Sequence, residues 1–201
     1  MIYKLYYYHY VLYKYYTMSD LIYTPLSDTD ILNILGKDTK IIKYSELYEY
    51  NSLLELLPHA FTFFILLIEI DKEDRGHWTA MYRDNFGIHF FDPYGLKPDK
   101  QNLFCEKRNR KRLGVDEPRL SDMLNKLVDE GYAVTFNGVK YQDISDPAMS
   151  TCGRWCCMRI IFMLMNKDKK DTSKAFLNYV KKMTKLYKCK TWDQMVCMVI
   201  S

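Results

Sequence analysis

Residues 61–95 read FTFFILLIEIDKEDRGHWTAMYRDNFGIHFFDPYG, and their pattern decides the fold. Phe61 to Ile70 is a dense run of Phe, Ile and Leu, long enough for a central strand. At roughly half of the ~20 consecutive apolar residues a membrane span needs, it is too short to cross one. Asp71 to Gly76 reads as a charged turn. Trp78–Tyr82 and Gly87–Phe91 read as two short strands, joined into a hairpin by Arg83-Asp84-Asn85-Phe86. Asp92-Pro93-Tyr94-Gly95 stops the second strand.

Upstream, Pro25 to Ile31 opens a short helix, with Ser27 or Asp28 as its cap, acids in the first turn and Gly36 at its end. Ser45 to Leu57 reads as a second helix that stops before Pro58. Downstream, Lys97 to Arg119 is polar, and Pro118 suits the first turn of a helix through Asp129, with Gly131 just past it. Val134 to Tyr141 alternates around Asn137-Gly138, a hairpin signal. Cys152 to Met165 is apolar almost all round, so it should be a buried helix. Ser173–Leu186 and Thr191–Ile200 are amphipathic helices. The expected class is α+β, a small mixed central sheet flanked by helices.

At 201 residues, 48% apolar and 27% charged, the chain fits one globular domain and excludes collagen, coiled coil and wholesale disorder. The net charge of +4 is too mild to mark a nucleic-acid binder by itself. Three of the six cysteines crowd into Cys152, Cys156 and Cys157, unlike the spread cysteines of a secreted scaffold. With no secretory signal visible, free thiols in a reducing compartment are expected. Eight of the 18 tyrosines fall in residues 1–17. That stretch reads as an N-terminal extension outside the fold, with Met18 the working start and 18–201 a single domain; an aromatic, basic arm that touches a partner is the alternative.

Cys152 stands at the start of the expected buried helix, where the helix dipole favours thiolate. Gly153 leaves room beside the sulfur for a substrate backbone. Cys156 and Cys157, one turn in, read as small buried hydrophobes. His77 begins a strand and can serve as a base that reaches the thiol from another element. His9, His59 and His89 read as bland. Asp92 ends the next strand, so the hairpin would make it a cross-strand neighbour of His77, able to orient the imidazole. The cysteines lack C-x-x-C spacing, which argues against zinc.

His77-Trp78, then Phe91-Asp92-Pro93-Tyr94-Gly95, then Gln142, then Thr151-Cys152-Gly153-Arg154-Trp155-Cys156-Cys157 resembles adenain, the adenovirus main protease, and the wider clan of SUMO-deconjugating cysteine proteases. It is most similar to the capsid-maturation proteases of virophages, Polintons and large DNA viruses. The resemblance spans roughly Phe61 to Leu164. It implies that clan's fold, with Cys152 as nucleophile, His77 as general base, Asp92 as third member and Gln142 as oxyanion donor beside the Cys152 N–H. Gln142 lies farther from Cys152 than the family's usual spacing, so the 143–149 loop bulges or another group, Ser145 first, donates instead.

The resemblance further implies a viral cysteine endopeptidase that cuts capsid or core precursors near glycine during particle maturation, in the host-cell cytoplasm (viral factory) and the virion. A deconjugating protease for ubiquitin-like proteins and an inactive binding protein of the same fold are the alternatives. Trp78 would narrow the substrate cleft, or else simply pack in the core. No cofactor is required, though DNA or an activating peptide could serve as one. The chain is expected to be a monomer away from membranes. Lys107, Arg108, Arg110, Lys111 and Arg112 form a basic cluster. It reads either as a solvated loop or as a phosphate-contacting patch for non-specific DNA.

Overall fold

In a computed structural model, which describes residues 20–72, 75–168 and 172–200, the elements follow in the order α1 (Asp28–Leu35), β1 (Lys40–Lys43), β2 (Phe63–Lys72), β3 (Arg75–Asp84), β4 (Gly87–Phe91), α2 (Lys107–Arg110), α3 (Arg119–Asp129), β5 (Val134–Phe136), α4 (Cys152–Met165), α5 (Thr172–Leu186) and α6 (Trp192–Val199). Residues 1–17, Met18 and His9 lie outside the described residues.

The strands form one sheet in the order β1-β2-β3-β4-β5. β2, β3 and β4 run antiparallel, whereas β1 lies parallel to β2 and β5 parallel to β4. The sheet is therefore mixed, and the class is α+β. Both its faces are covered. Ile65, Leu67, Trp78, Ala80, Tyr82 and Phe91 pack under α4 and its neighbours. Phe64, Leu66, Ile68, Met81, Ile88 and Phe90 pack against α3 and the segment after β1. Two-sided burial explains why β2 is apolar at nearly every position rather than alternately.

α1 starts as its sequence implies. Ser27 is the N-cap, its Oγ accepting from Asp30 N at 3.2 Å while Asp30 Oδ2 accepts from Ser27 N at 2.8 Å. Gly36 closes it with φ +107°. Pro118 precedes α3 as its cap rather than entering its first turn.

Two expectations are corrected. Residues 45–57 form two 3-10 segments, Tyr44–Glu49 and Leu53–Glu55, not one α-helix. At the break, Glu55 Oε1 accepts from Asn51 N and Ser52 N, and Ser52 Oγ accepts from Leu54 N. These side chains satisfy amides that a continuous helix would have used. The Val134–Tyr141 hairpin is also absent. β5 pairs parallel with β4, and Asn137 and Gly138 do not take the positive φ of a type I′ turn. Asn137 instead fastens to Asp92: its Oδ1 accepts from Asp92 N, and its Nδ2 donates to Asp92 O, both at 2.7 Å. Tyr141 N and Gln142 N donate to Pro93 O, so the chain runs on past the end of β4 instead of folding back.

Candidate active site

α4 begins with Thr151 as its cap and Cys152 as its first residue, and both are buried. The first amides of a helix have no carbonyl partner within it. Among them, the Gly153 N–H is directed at the Cys152 sulfur, as is the N–H of Trp78 on β3.

β3 carries His77, which is 2% exposed. The register sets Ala80 opposite Phe91. Extended past the strand end, it would bring Tyr94, not Asp92, level with His77. Asp92 is thus a diagonal neighbour rather than the cross-strand partner expected. It still reaches the ring: His77 Nε2 donates to Asp92 Oδ1 at 2.6 Å. Tyr94 fills the level position with its ring, stacked on His77 at 4.1 Å between centroids and 6° between planes.

Asp92 is fully buried and surrounded by donors. Besides His77, Tyr94 N donates to Oδ1 at 2.8 Å. Leu96 N donates to Oδ2 at 3.2 Å, and Gln101 Nε2 at 2.5 Å. With Nε2 committed to Asp92, the ring nitrogen left for other chemistry is Nδ1, which has no well-aligned hydrogen bond.

Cys152 and His77 shift one another. Burial raises the Cys152 pKa, but the His77 ring and the Trp78 and Gly153 amides outweigh it and leave the thiol below its ordinary value. Burial lowers the His77 pKa, but the Asp92 carboxylate and then Cys152 outweigh it and lift the ring to about 9. Cys156 has no such help, and burial pushes it far upward; burial also lifts Cys157, to about 12.

Gln142 is buried, and its Nε2 donates to Met149 O at 2.9 Å and to Tyr94 OH at 3.4 Å. The Met149 contact spans the 143–149 loop that leads to α4. Ser145 is exposed, and its hydroxyl donates to Asp143 Oδ1 at 2.8 Å.

Trp78 and Gly153 face inward rather than lining a cleft. Trp78 is 6% exposed, and its Nε1 donates to Leu26 O at 3.1 Å. A Cβ built on Gly153 would lie 3.1 Å from Leu26 Cβ and 3.2 Å from Trp78 Cδ1. The space left by the missing side chain is filled by the protein itself.

Of the basic cluster, Arg108 pairs with Glu106 at 2.7 Å, and Arg110 Nε donates to Cys105 O at 2.9 Å. His59 is exposed. His89 is buried, within 2.9 Å of Asp84 Oδ1, with Nδ1 2.7 Å from Thr135 Oγ1 and its ring stacked on Tyr82. Among the described residues, no three His, Cys, Asp or Glu side chains gather as metal ligands, and no helix is long and apolar enough to cross a membrane.

Sequence reasoning passed over Tyr94, Gln101 and Asp193. Tyr94 lay in a motif read as a strand stop and as part of the family resemblance, with no role of its own. Gln101 lay in a polar stretch with no pattern pointing to Asp92, and Asp193 carried no local signal because its partners are 38 to 50 positions away.

No family model matches the sequence. The chain is similar to the uncharacterized protein V9 of the Sputnik virophage, at 32% identity over 176 residues, which is 87% of this chain and 93% of V9.

Proposed function

The chain belongs to the family of the Sputnik virophage protein V9, and in that viral setting we propose that it is an adenain-like cysteine endopeptidase. The observation that carries this reading is the buried grouping of Cys152, first in α4, with His77 held by Asp92 at 2.6 Å, in which the thiol is drawn down and the ring drawn up to about 9. Between those two pKa values the favoured state is thiolate beside imidazolium, the form that attacks carbonyls.

The Cys152 thiolate adds to the peptide carbonyl carbon. The Cys152 N–H, beside Gln142, faces the oxygen as it gains charge. The imidazolium gives its Nδ1 proton to the leaving amine, which departs and leaves a thioester. Water then attacks the thioester, with neutral His77 taking its proton, and the acid product leaves as the thiolate re-forms. Asp92 holds the ring in place throughout. Capsid or core precursors cut near glycine are the proposed substrates.

The test is hydrolysis of a fluorogenic peptide amide with glycine before the cut bond. Wild-type protein should hydrolyse it, and Cys152→Ala should abolish turnover while keeping the circular dichroism spectrum. Activity that survives Cys152→Ala would refute the reading.

A further inference from the structure

We infer that Asp193, on the first turn of α6, is a positioning residue that locks the start of the Cys152 helix to the segment bearing Gln142. The inference rests on the peptidase reading above. Asp193 is 3% exposed. Its Oδ1 accepts from Thr151 Oγ1 at 2.5 Å and from Trp155 Nε1 at 3.0 Å. Its Oδ2 accepts from Asp143 N at 3.1 Å.

The identity of these partners gives the contacts their meaning. Thr151 immediately precedes Cys152, and Trp155 lies on the same first turn of α4. Asp143 immediately follows Gln142. One carboxylate therefore fixes both sides of the space where the substrate oxygen would gain charge, and it does so from an element far away in the chain. Tyr94 senses the same neighbourhood: burial raises its hydroxyl's pKa, and Cys152, Asp92 and Asp193 add to the shift.

All three groups facing Asp193 are donors. A carboxylate is the side chain that accepts at both ends, so an amide of the same shape must turn an NH2 toward at least one of them. Burial raises the Asp193 pKa, and the three hydrogen bonds oppose that rise. A buried carboxyl with this desolvation burden is poorly suited to mere space filling.

The experiment compares wild type, Asp193→Asn and Asp193→Ala on the glycine peptide amide, together with the pH profile of Cys152 alkylation by iodoacetamide, at a temperature where circular dichroism shows all three folded. Asp193→Asn keeps an acceptor for the α4 donors and sets its NH2 against Asp143 N–H. Its kcat should fall about 10- to 100-fold with KM within about twofold, since misplaced catalytic groups cost on that order. Its alkylation profile should stay that of wild type. Asp193→Ala frees both sides, so its kcat should fall at least as far and its alkylation midpoint should rise toward the ordinary thiol value of 9.0.

Wild-type kcat in folded Asp193→Asn would overturn the inference and leave the peptidase reading intact. So would a loss expressed in KM alone. A wild-type protein that neither cleaves the peptide nor alkylates below the ordinary thiol range would overturn the peptidase reading, and the inference with it.

Discussion

Burial and charge oppose one another at His77, and charge prevails: desolvation lowers its pKa, whereas Asp92 and Cys152 raise it to about 9. The Cys152 thiol moves the other way. Both shifts favour the charged pair, and their signs fix the pH behaviour. Cys152 should react with iodoacetamide below pH 9, losing reactivity as pH falls through its lowered pKa. Peptide turnover should show a second, alkaline limb near pH 9, where the His77 proton needed by the leaving amine is lost. Cys156, Cys157 and Cys197 are buried, with pKa values pushed up by that burial, and should label far more slowly. Equal rates at Cys152 and Cys197, read by mass spectrometry, would contradict the thiolate assignment. Asp92→Ala should reduce kcat less than His77→Ala, because Asp92 orients the ring and His77 moves the proton. Tyr94→Phe keeps the stack on His77 and loses the hydroxyl facing Gln142, so the alkylation profile should stay put while Tyr94→Ala disturbs it.

At the scale of elements, the start of α4 is constrained from every side. Gly153 packs on Leu26 and Trp78 so closely that a methyl group there would push these side chains back by a few tenths of an ångström. Gly153→Ala sets this crowding against the helix-propensity gain of about 1 kcal/mol for Ala over Gly, so its thermal midpoint should move by only a few degrees. Ser27→Ala removes the α1 cap and should cost about 1 kcal/mol, without changing Cys152 reactivity, because α1 reaches the site only through packing. The α4 helix was legible because it is apolar on all faces and so has one possible environment. The Asn137-Gly138 signal misled because it is local. The Asn137 amide makes its two bonds to the Asp92 main chain across 45 positions, and these bonds define the path that a turn would otherwise have taken.

Across the whole molecule, the described cations bear on the proposed DNA contact. Arg108 pairs with Glu106, Arg110 donates to the Cys105 carbonyl and Arg112 to the Asp71 carbonyl at 3.3 Å, while Lys107, Arg108, Lys111 and Arg112 are all exposed. Phosphate contacts from all five cations would give a salt slope of about −4 to −5 on duplex DNA. The measurement is affinity against salt for wild type and for the variant with all five cations changed to Ala; identical slopes would dismiss the patch. The sequence by itself determined the class of fold, because continuous apolar runs such as β2 and α4 must be buried on all sides. It also singled out Cys152, His77 and Asp92, whose residue types and chain order carry chemistry wherever they meet. Only the tertiary structure decided that Tyr94 lies over His77, that Gln101 and Asn137 hold Asp92, that Trp78 and Gly153 pack inward and that Asp193 braces both Thr151 and Asp143. Each of these depends on contacts between segments distant in the chain. Such contacts are set by the register of strands and the closure of loops, which leave no periodic trace in the sequence.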